Sequence, residues 1–349
     1  MVTIKEIAAE CGVSVATVSN VLNGKSNVGV ETRKRVLDVV RRTGYQPDYV
    51  ARGLRKKKTN MIGIVAEDIC LFTTPAIMEG IMKYCEQKNY RTVIQNLRLY
   101  ARWGEFWYEN DNAYRSVLNP VIQEMTSIKV DGLLYVAGQA RVVRYFNEGV
   151  AIPTVVAHAY THTAYTPAVV MDDERAACEM TRYLISMGHR KIGILAGKAD
   201  NIHTGSRLRG HQKALFEENI LYNPGWVRYG DWERKSGYRF AGELLDCGVT
   251  AIFCMNDRMA GGVYDYCREH GIQVGQDISV TGLDNQEISQ YCSPGLTTMD
   301  LPLSEIGTEA AAILLERLES EEENIPDSVK ECRIPCRLIE RESVKRVEM

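Results

Sequence analysis

From Met61 onward, short apolar runs alternate with amphipathic stretches: MIGIVA, then 75–88; TVIQNL, then 113–128; DGLLYVAG, then 141–148. The series resumes with a helix over 173–187, the strand KIGILAG, helices over 206–219 and 235–246, the strand TAIFCMN, a helix over 257–270 and the strand ISVTGLD. Strands separated in this way by helices form parallel sheets covered on both faces. The two series are each about 100 residues long and predict two similar lobes. Ligands in such folds lie beyond the carboxyl ends of the strands, here in the cleft between the lobes.

The first sixty residues follow another pattern. Thr3-Ile4-Lys5-Glu6 is a capping box, in which the Thr hydroxyl accepts from the Glu6 backbone and the Glu carboxylate reaches back. Ile4, Ile7, Ala8 and Cys11 then form one apolar stripe at helical spacing, and Gly12 supplies the permissive backbone of a sharp turn. Ser14 can cap a second helix whose Val18, Val21 and Leu22 point inward. Two short helices joined by such a turn are a helix-turn-helix unit, and the small Ala8 suits their close crossing. A third amphipathic helix runs from about Glu31 to Thr43 and stops at Gly44.

Charge divides the chain at the same place. Residues 1–60 hold twelve Lys and Arg against five Asp and Glu, giving +7, whereas the remaining thirty basic and forty acidic residues give −10. A basic head on an acidic body fits a polyanion-binding module on a carrier that does not itself bind polyanions. The start MVTIKEIAAECG lacks the apolar core of a signal peptide, and no apolar run approaches the ~20 residues of a membrane helix, so a cytoplasmic protein without membrane attachment is expected. Ten scattered cysteines without a CxxC pair predict reduced, mostly buried thiols rather than a zinc site or disulfide framework.

Between head and body, Tyr45-Gln46-Pro47-Asp48 leads into Val50-Ala51-Arg52-Gly53-Leu54-Arg55 and a lysine run. Asp48 can cap a short helix that is marginal alone and weakened further by Gly53. Leu54 among Arg52, Arg55 and Lys56 has the chemistry of an apolar wedge held at a minor groove by phosphate contacts. TIKEIAAECGVSVATVSNVLNG, the third helix and YQPDYVARGLR leading into NMIGIV resemble the LacI/GalR family of bacterial transcription regulators. The resemblance implies that the second helix enters the major groove, that a hinge helix forms on DNA, and that a leucine matching Leu54 opens a central base step. DNA contacts are accordingly expected from Ser14, Val15, Ala16, Thr17, Ser19, Asn20 and Asn23, and from Tyr45, Ala51, Arg52, Leu54 and Arg55. Val15 and Ala16 can press on thymine methyls and Asn20 can pair bidentately with adenine, while Thr17 and Ser19 suit phosphates. Asn20 stands where many relatives place an arginine suited to guanine, and Asp48 where asparagine is usual.

The body resembles the effector domain of the same family, itself similar to periplasmic sugar receptors, through VDGLL at 130–134, GHRKIG at 188–193, GSRLRGHQKAL at 205–215, MNDRMAGG at 255–262 and QDISVTGLDN at 276–285. By this resemblance Arg207, Trp232, Asn256 and Asp284 hold the effector, and Glu67, Asp68, Phe72 and His158 line the cleft. Arg207 can give paired donors, Asp284 can accept from vicinal hydroxyls, Asn256 can do both and Trp232 can stack a sugar face. Trp232 with Asn256 leans toward the sugar-type relatives. Arg207 pairing only with an acidic neighbour, and Trp232 only filling a core, are the structural alternatives. The chain departs from the family at YARWGEFWYENDNAY, 100–114, with six aromatics in fifteen residues and Trp103 and Trp107 at helical spacing. A cluster packed on the lobe, a lid over a distinctive sugar and a partner surface are the three readings of this insertion.

No P-loop, GxSxG or HExxH motif is present. His158-x-x-x-His162 enters a Thr-rich loop without a nearby third ligand, and Asp172-Asp173-Glu174 opens a helix where carboxylates are favoured by the dipole. Neither a metal nor another cofactor is expected, and no catalysis. The predicted architecture is an all-α helix-turn-helix head, 1–47, a hinge helix and linker, 48–59, and a two-lobed α/β body like periplasmic binding proteins. Its first lobe is expected from 60–158 with 285–320, its second from 159–284 with 321–349. The expected protein is a sequence-specific repressor that binds double-stranded DNA at a near-palindromic operator as a homodimer, controlled by a small-molecule effector of sugar type. The tail ESVKRVEM is too short for the apolar heptads that would join two dimers. A solute receptor, or a sugar-processing enzyme with a regulatory head, shares parts of the pattern but lacks an export signal or a catalytic motif.

Overall fold

The structure is a computed structural model that describes residues 2–22, 24–45, 58–148, 150–161, 163, 165–320 and 331–348. It divides into two units, 1–60 and 61–349. In the first unit α1 (Ile4–Glu10) begins at the capping box: Thr3 Oγ1 accepts from the Glu6 amide at 3.3 Å and the Glu6 carboxylate accepts from the Thr3 amide at 2.7 Å. Gly12 turns the chain with a φ of 60°, and Ser14 accepts from the Thr17 amide at 3.1 Å to start α2 (Val15–Leu22). The third helix, α3 (Val30–Thr43), ends at Gly44, whose φ is 63°. Ile7, Ala8, Cys11, Val18, Val21 and Val36 close the core between the three helices, and Arg42 of α3 bonds Glu10 of α1.

The second unit opens with β1 (Met61–Ala66), α4 (Thr73–Gln87), β2 (Arg91–Asn96), α5 (Leu99–Trp103), α6 (Asp111–Ser127), β3 (Gly132–Val136), β4 (Thr154–Ala157) and β5 (Ala168–Met171). It continues with α7 (Asp173–Ser186), β6 (Ile192–Ala196), α8 (Ile202–Glu217), β7 (Val227–Tyr229), α9 (Arg234–Asp246), β8 (Ala251–Cys254), α10 (Asp257–Glu269), β9 (Ser279–Thr281) and α11 (Ile288–Tyr291). The last elements are β10 (Thr298–Asp300), α12 (Leu303–Glu319), β11 (Glu331–Ile334) and β12 (Arg337–Ile339).

These strands make two parallel sheets, as the alternation requires. The first has the order β11-β5-β4-β3-β1-β2 and the second β7-β6-β8-β9. An antiparallel pair, β10 with β12, lies where the chain passes from one lobe to the other. Helix α12 packs on α4 of the first lobe, and its Gly307 permits this contact: a Cβ there would stand 1.9 Å from the Ile77 carbonyl oxygen.

Three sequence expectations change. Strands β5 and β11 pair with the first sheet, so 159–171 and 331–334 belong to the first lobe rather than the second. The segment 285–296 goes the other way, because α11 packs on α10. The chain crosses between the lobes at 171–173, around β10 and at 334–337; β5 pairs beside β4 in the first sheet, and the first crossing therefore follows Met171 rather than His158. The stretch 141–148 is helical only as a 3-10 turn at Tyr145–Glu148. Finally, Trp103 and Trp107 do not share a helix, since Gly104, at a φ of 58°, ends α5 between them.

Tyr100, Trp103, Trp107, Tyr108 and Tyr114 of the insertion pack on the core of the first lobe. Trp107 and Tyr114 are buried with Val65, Leu133 and Tyr135 on one face of the first sheet. Their rings stack at 5.5 Å, and the Arg141 guanidinium lies 4.4 Å from the Trp107 ring centre. All ten cysteines are free, six of them buried.

Candidate functional site

The carboxyl ends of strands from both sheets converge on a cavity of about 310 Å³. Phe72 follows β1, His158 follows β4, Trp232 follows β7, Asn256 follows β8 and Asp284 follows β9; Arg207 reaches in from α8. Six of the eight residues expected at the cleft therefore line it. Glu67 and Asp68 do not. The Glu67 carboxylate is buried inside the first lobe, where it accepts from Tyr135 Oη at 2.8 Å, from the Gly138 amide at 2.9 Å and from Arg141. Asp68 accepts from the amides of Cys70 and Ala101 at 3.1 Å each and holds the loop after β1. Both carboxylates are consumed by their own lobe.

Three of the lining residues have strained backbones. His158, Trp232 and Asp284 have φ values of 66°, 74° and 123°, a region that side chains rarely occupy without support from their surroundings. The support at Trp232 is explicit. Asn256 Nδ2 donates to its carbonyl at 2.9 Å, and Gly197 leaves room for its indole, because a Cβ there would stand 1.9 Å from the ring. Asn256 also accepts from the Met259 amide at 2.9 Å as the N-cap of α10. Its one amide thus fixes both the helix start and the aromatic wall.

Arg207 is 3% exposed and anchors the centre. Its Nε donates to Asp173 at 2.7 Å, its Nη1 to the Met255 carbonyl, and its guanidinium lies 5.7 Å from the Trp232 ring centre. The other Asp173 oxygen meets His203 Nδ1 at 2.7 Å. Burial alone would raise the Asp173 carboxyl, but His203 and Arg207 together hold it well below the ordinary carboxylate range. Sequence reasoning assigned Asp173 only to the helix dipole and passed over His203; Asp172 is the residue that caps α7, accepting from the Arg175 amide at 3.1 Å. The signal available was the i, i+4 spacing of His203 and Arg207 on one helix face.

Asp284 accepts from Gln286 Nε2 at 2.9 Å, and burial pushes its carboxyl up to about 6 against the opposing pull of Arg207. Behind it Asp257 accepts from Thr298 Oγ1 at 2.6 Å and from the Gln286 amide at 2.8 Å; burial, and then the Asp284 charge, raise it. His158 is 2% exposed and its Nδ1 meets the Ala137 carbonyl at 3.2 Å, which leaves Nε2 buried without a hydrogen-bond partner. Burial, and then His203 nearby, lower the imidazole to about 4, so it is neutral at physiological pH. The cleft therefore combines donors, acceptors and an aromatic wall, the set that a polyhydroxylated molecule requires.

On the head, Ala16 is exposed and Val15, Thr17, Ser19 and Asn20 are partly so, whereas Val18 and Val21 are buried. Ser14 and Thr17 share a hydroxyl hydrogen bond of 2.9 Å. Tyr45 packs against the core of the head. Asn23 and the hinge residues Ala51, Arg52, Leu54 and Arg55 lie outside the described residues, as does His162. Among the described residues no helix is long and apolar enough to cross a membrane, and no group of His, Cys, Asp and Glu is arranged to hold a metal ion.

A helix-turn-helix head joined in one chain to a two-lobed α/β body with a cleft of ligand size defines a ligand-responsive, DNA-binding regulator. Residues 3–48 match the bacterial regulatory proteins of the lacI family, and residues 181–344 match the periplasmic binding protein-like domain. The chain is 34% identical over 349 residues to the HTH-type transcriptional repressor PurR of Escherichia coli O1:K1, covering 99% of this chain and 97% of that one. It is 31% identical over 326 residues to the ribose operon repressor of Haemophilus influenzae, covering 93% and 94%. The fold matches that of the lac repressor dimer bound to operator and the anti-inducer ONPF with a TM-score of 0.76, at 24% identity and 99% coverage of both chains. The chain belongs to the lacI family of bacterial regulatory proteins. It is a DNA-binding transcriptional repressor, and the family is not one of enzymes.

Proposed function

We propose that the protein acts in the cytoplasm as a homodimer on a near-palindromic operator, and that a small carbohydrate bound between the lobes sets its operator affinity. The observation that carries the effector half is the convergence of Arg207, Asn256 and Asp284 beside the Trp232 indole at the strand ends. Hydroxyls of one sugar ring can donate to Asp284 and accept from Arg207 and Asn256, while the indole covers an apolar ring face. The repressor of a ribose operon among the relatives supports a sugar, and the lac repressor dimer on its operator supports the two-fold assembly. In the head, Val15, Ala16 and Asn20 read base edges, and Ser14, Thr17 and Ser19 anchor to phosphates.

Coupling follows from population shift. The cleft is walled by both lobes, so a ligand that fits one closure better than the other moves their equilibrium and with it the DNA-competent state. The test is a thermal-shift screen of sugars and nucleobases, followed by operator binding with and without each hit. A sugar that raises the melting temperature and changes operator affinity is expected. A screen in which only nucleobases, or no metabolite, moves both quantities refutes the carbohydrate assignment and leaves DNA binding intact.

A further inference from the structure

The cleft has a neighbour. A second cavity of about 530 Å³ lies beside it, walled by the aromatic insertion, by Arg141, Arg144 and Tyr145 of the first lobe, and by Lys198 and Asp200 of the second. Glu105, Gln139, Asn201 and Trp232 line both cavities, so the two adjoin along these side chains. We propose that this flanking chamber is a second glycosyl subsite, and that the effector is an extended glycoside with one unit in the cleft and the next beside Tyr108 and Tyr145. The inference rests on the carbohydrate reading of the cleft.

The chemistry of the walls selects a neutral, hydroxyl-rich unit over an anion. Arg141 is already spent: it pairs with the buried Glu67 and its guanidinium lies against Trp107 and Tyr114. Lys198 is paired across the lobes with Glu105 at 2.6 Å. What remains is Arg115 and Arg144 against Asp111 and Asp200, two charges of each sign around tyrosine rings. A phosphate site would not place carboxylates among its cations, whereas vicinal hydroxyls use both, donating to Asp and accepting from Arg.

The chamber is also a built one. Trp107 Nε1 and Arg141 Nε are buried at its wall without hydrogen-bond partners, in a region where most buried polar atoms are paired. The insertion supplies Glu105, Trp107, Tyr108, Asp111 and Tyr114 to it, so the segment that departs from the family pattern makes the wall. The two cavities together lie within the range of about 300–1,000 Å³ typical of small-molecule sites, with the cleft alone at its lower end.

The test is calorimetric titration of the full-length protein with three probe sets: pentose and hexose methyl glycosides, the corresponding 1,4-linked disaccharides, and hexose 6-phosphates. The variant is Arg144→Ala combined with Asp200→Ala, two exposed side chains outside the cleft, whose unchanged melting and unchanged methyl glycoside affinity report intact folding. The expected result is a disaccharide that binds more tightly than its methyl glycoside and loses about tenfold in affinity in the variant. Disaccharides no tighter than methyl glycosides, or equally tight in the variant, overturn the subsite while leaving the cleft reading in place. A hexose phosphate that binds best and is weakened by the variant overturns it too, in favour of an anion site. Failure of every probe to bind the wild type overturns the carbohydrate reading itself.

Discussion

Helix α2, proposed to read DNA, and the cleft proposed to hold the effector are assembled on different scales. Ser14 and, on the helix α2 that it starts, Val15, Ala16, Thr17 and Asn20 fall within seven consecutive positions, whereas the cleft gathers Phe72, His158, Arg207, Trp232, Asn256 and Asp284 from more than two hundred residues of chain. The local surface rests on a small apolar core between three helices. The dispersed one is held by polar pairs buried at strand ends, with Arg207, Asp173 and His203 at their centre. A surface of the first kind is vulnerable to a single cavity, and one of the second kind to a single unpaired charge.

The sharpest break in that comparison is Arg207→Ala. It leaves one Asp173 oxygen and the Met255 carbonyl without their donor, with only His203 still on the carboxylate, and removal of one partner from a buried ionic cluster costs about 3–5 kcal/mol. Denaturant unfolding is expected to show this loss for the body and abolished effector binding. A change below about 1 kcal/mol, within the range of exposed pairs, places Arg207 in contact with water and defeats the account of the cleft as a dry polar centre.

Ile7→Ala strikes the other region. Ile7 is fully buried in the head, and truncation of such a residue costs about 3 kcal/mol through lost burial and the cavity left behind. In a core this small that is enough to unfold the head, so operator binding is expected to vanish while the body melts and binds effector as before. If the body's melting shifts with it, the two units do not fold as the independent cores described.

Acid probes the cleft more gently. His158 and His211, each 2% exposed, are lowered by burial to about 4, from 6.5. Between those values the unfolded chain takes up protons that the folded chain does not, so stability rises with pH across this window and is lost as pH falls through it. From pH 6.5 to 5.5 each histidine contributes a loss of about 1 kcal/mol. His211 sits away from the cleft against Thr181, at 3.0 Å, so His211→Gln and His158→Gln are each expected to flatten the stability profile, but only His158→Gln to alter effector affinity. Equal effects of both on affinity erase the distinction between a cleft histidine and a core one.

The same difference of scale decides what the sequence made legible. The three head helices are local, and their caps at Thr3, Ser14 and Gly44 stand where spacing put them. The strand–helix alternation also carried both parallel sheets, because each unit of it is local. What it did not carry was partnership: that 168–171 and 331–334 extend the first sheet is a long-range pairing with no local mark, and the AVVM strand is only four residues long. In the cleft, residues at strand ends were legible through the resemblance. Glu67 and Asp68 were misplaced because nothing local says whether a carboxylate at a strand end turns outward or back onto Tyr135 and the Ala101 amide. Asp173 was missed because its partners, His203 and Arg207, lie thirty and thirty-four residues beyond it on another helix, and His203 with it because only that distant carboxylate gives it a role.

The smallest expected effect lies on the most legible surface. Asn20 is partly exposed near the end of α2, and its own backbone carbonyl accepts from the Lys25 amide at 3.0 Å, so the side chain is held by a defined backbone. A carboxamide pairs with the N6 and N7 edge of adenine, a guanidinium with the O6 and N7 edge of guanine. Asn20→Arg leaves the apolar core untouched because Val18 and Val21, not position 20, fill it. The substitution is therefore expected to move base preference at one position of each half-site from adenine toward guanine by about 1 kcal/mol, with head stability unchanged. Selection from a randomised operator library reads this directly. Unaltered selectivity with retained binding shows that α2 contacts DNA without reading bases through position 20, and leaves Val15 and Ala16 as the proposed readers, by the fit of small side chains to thymine methyls.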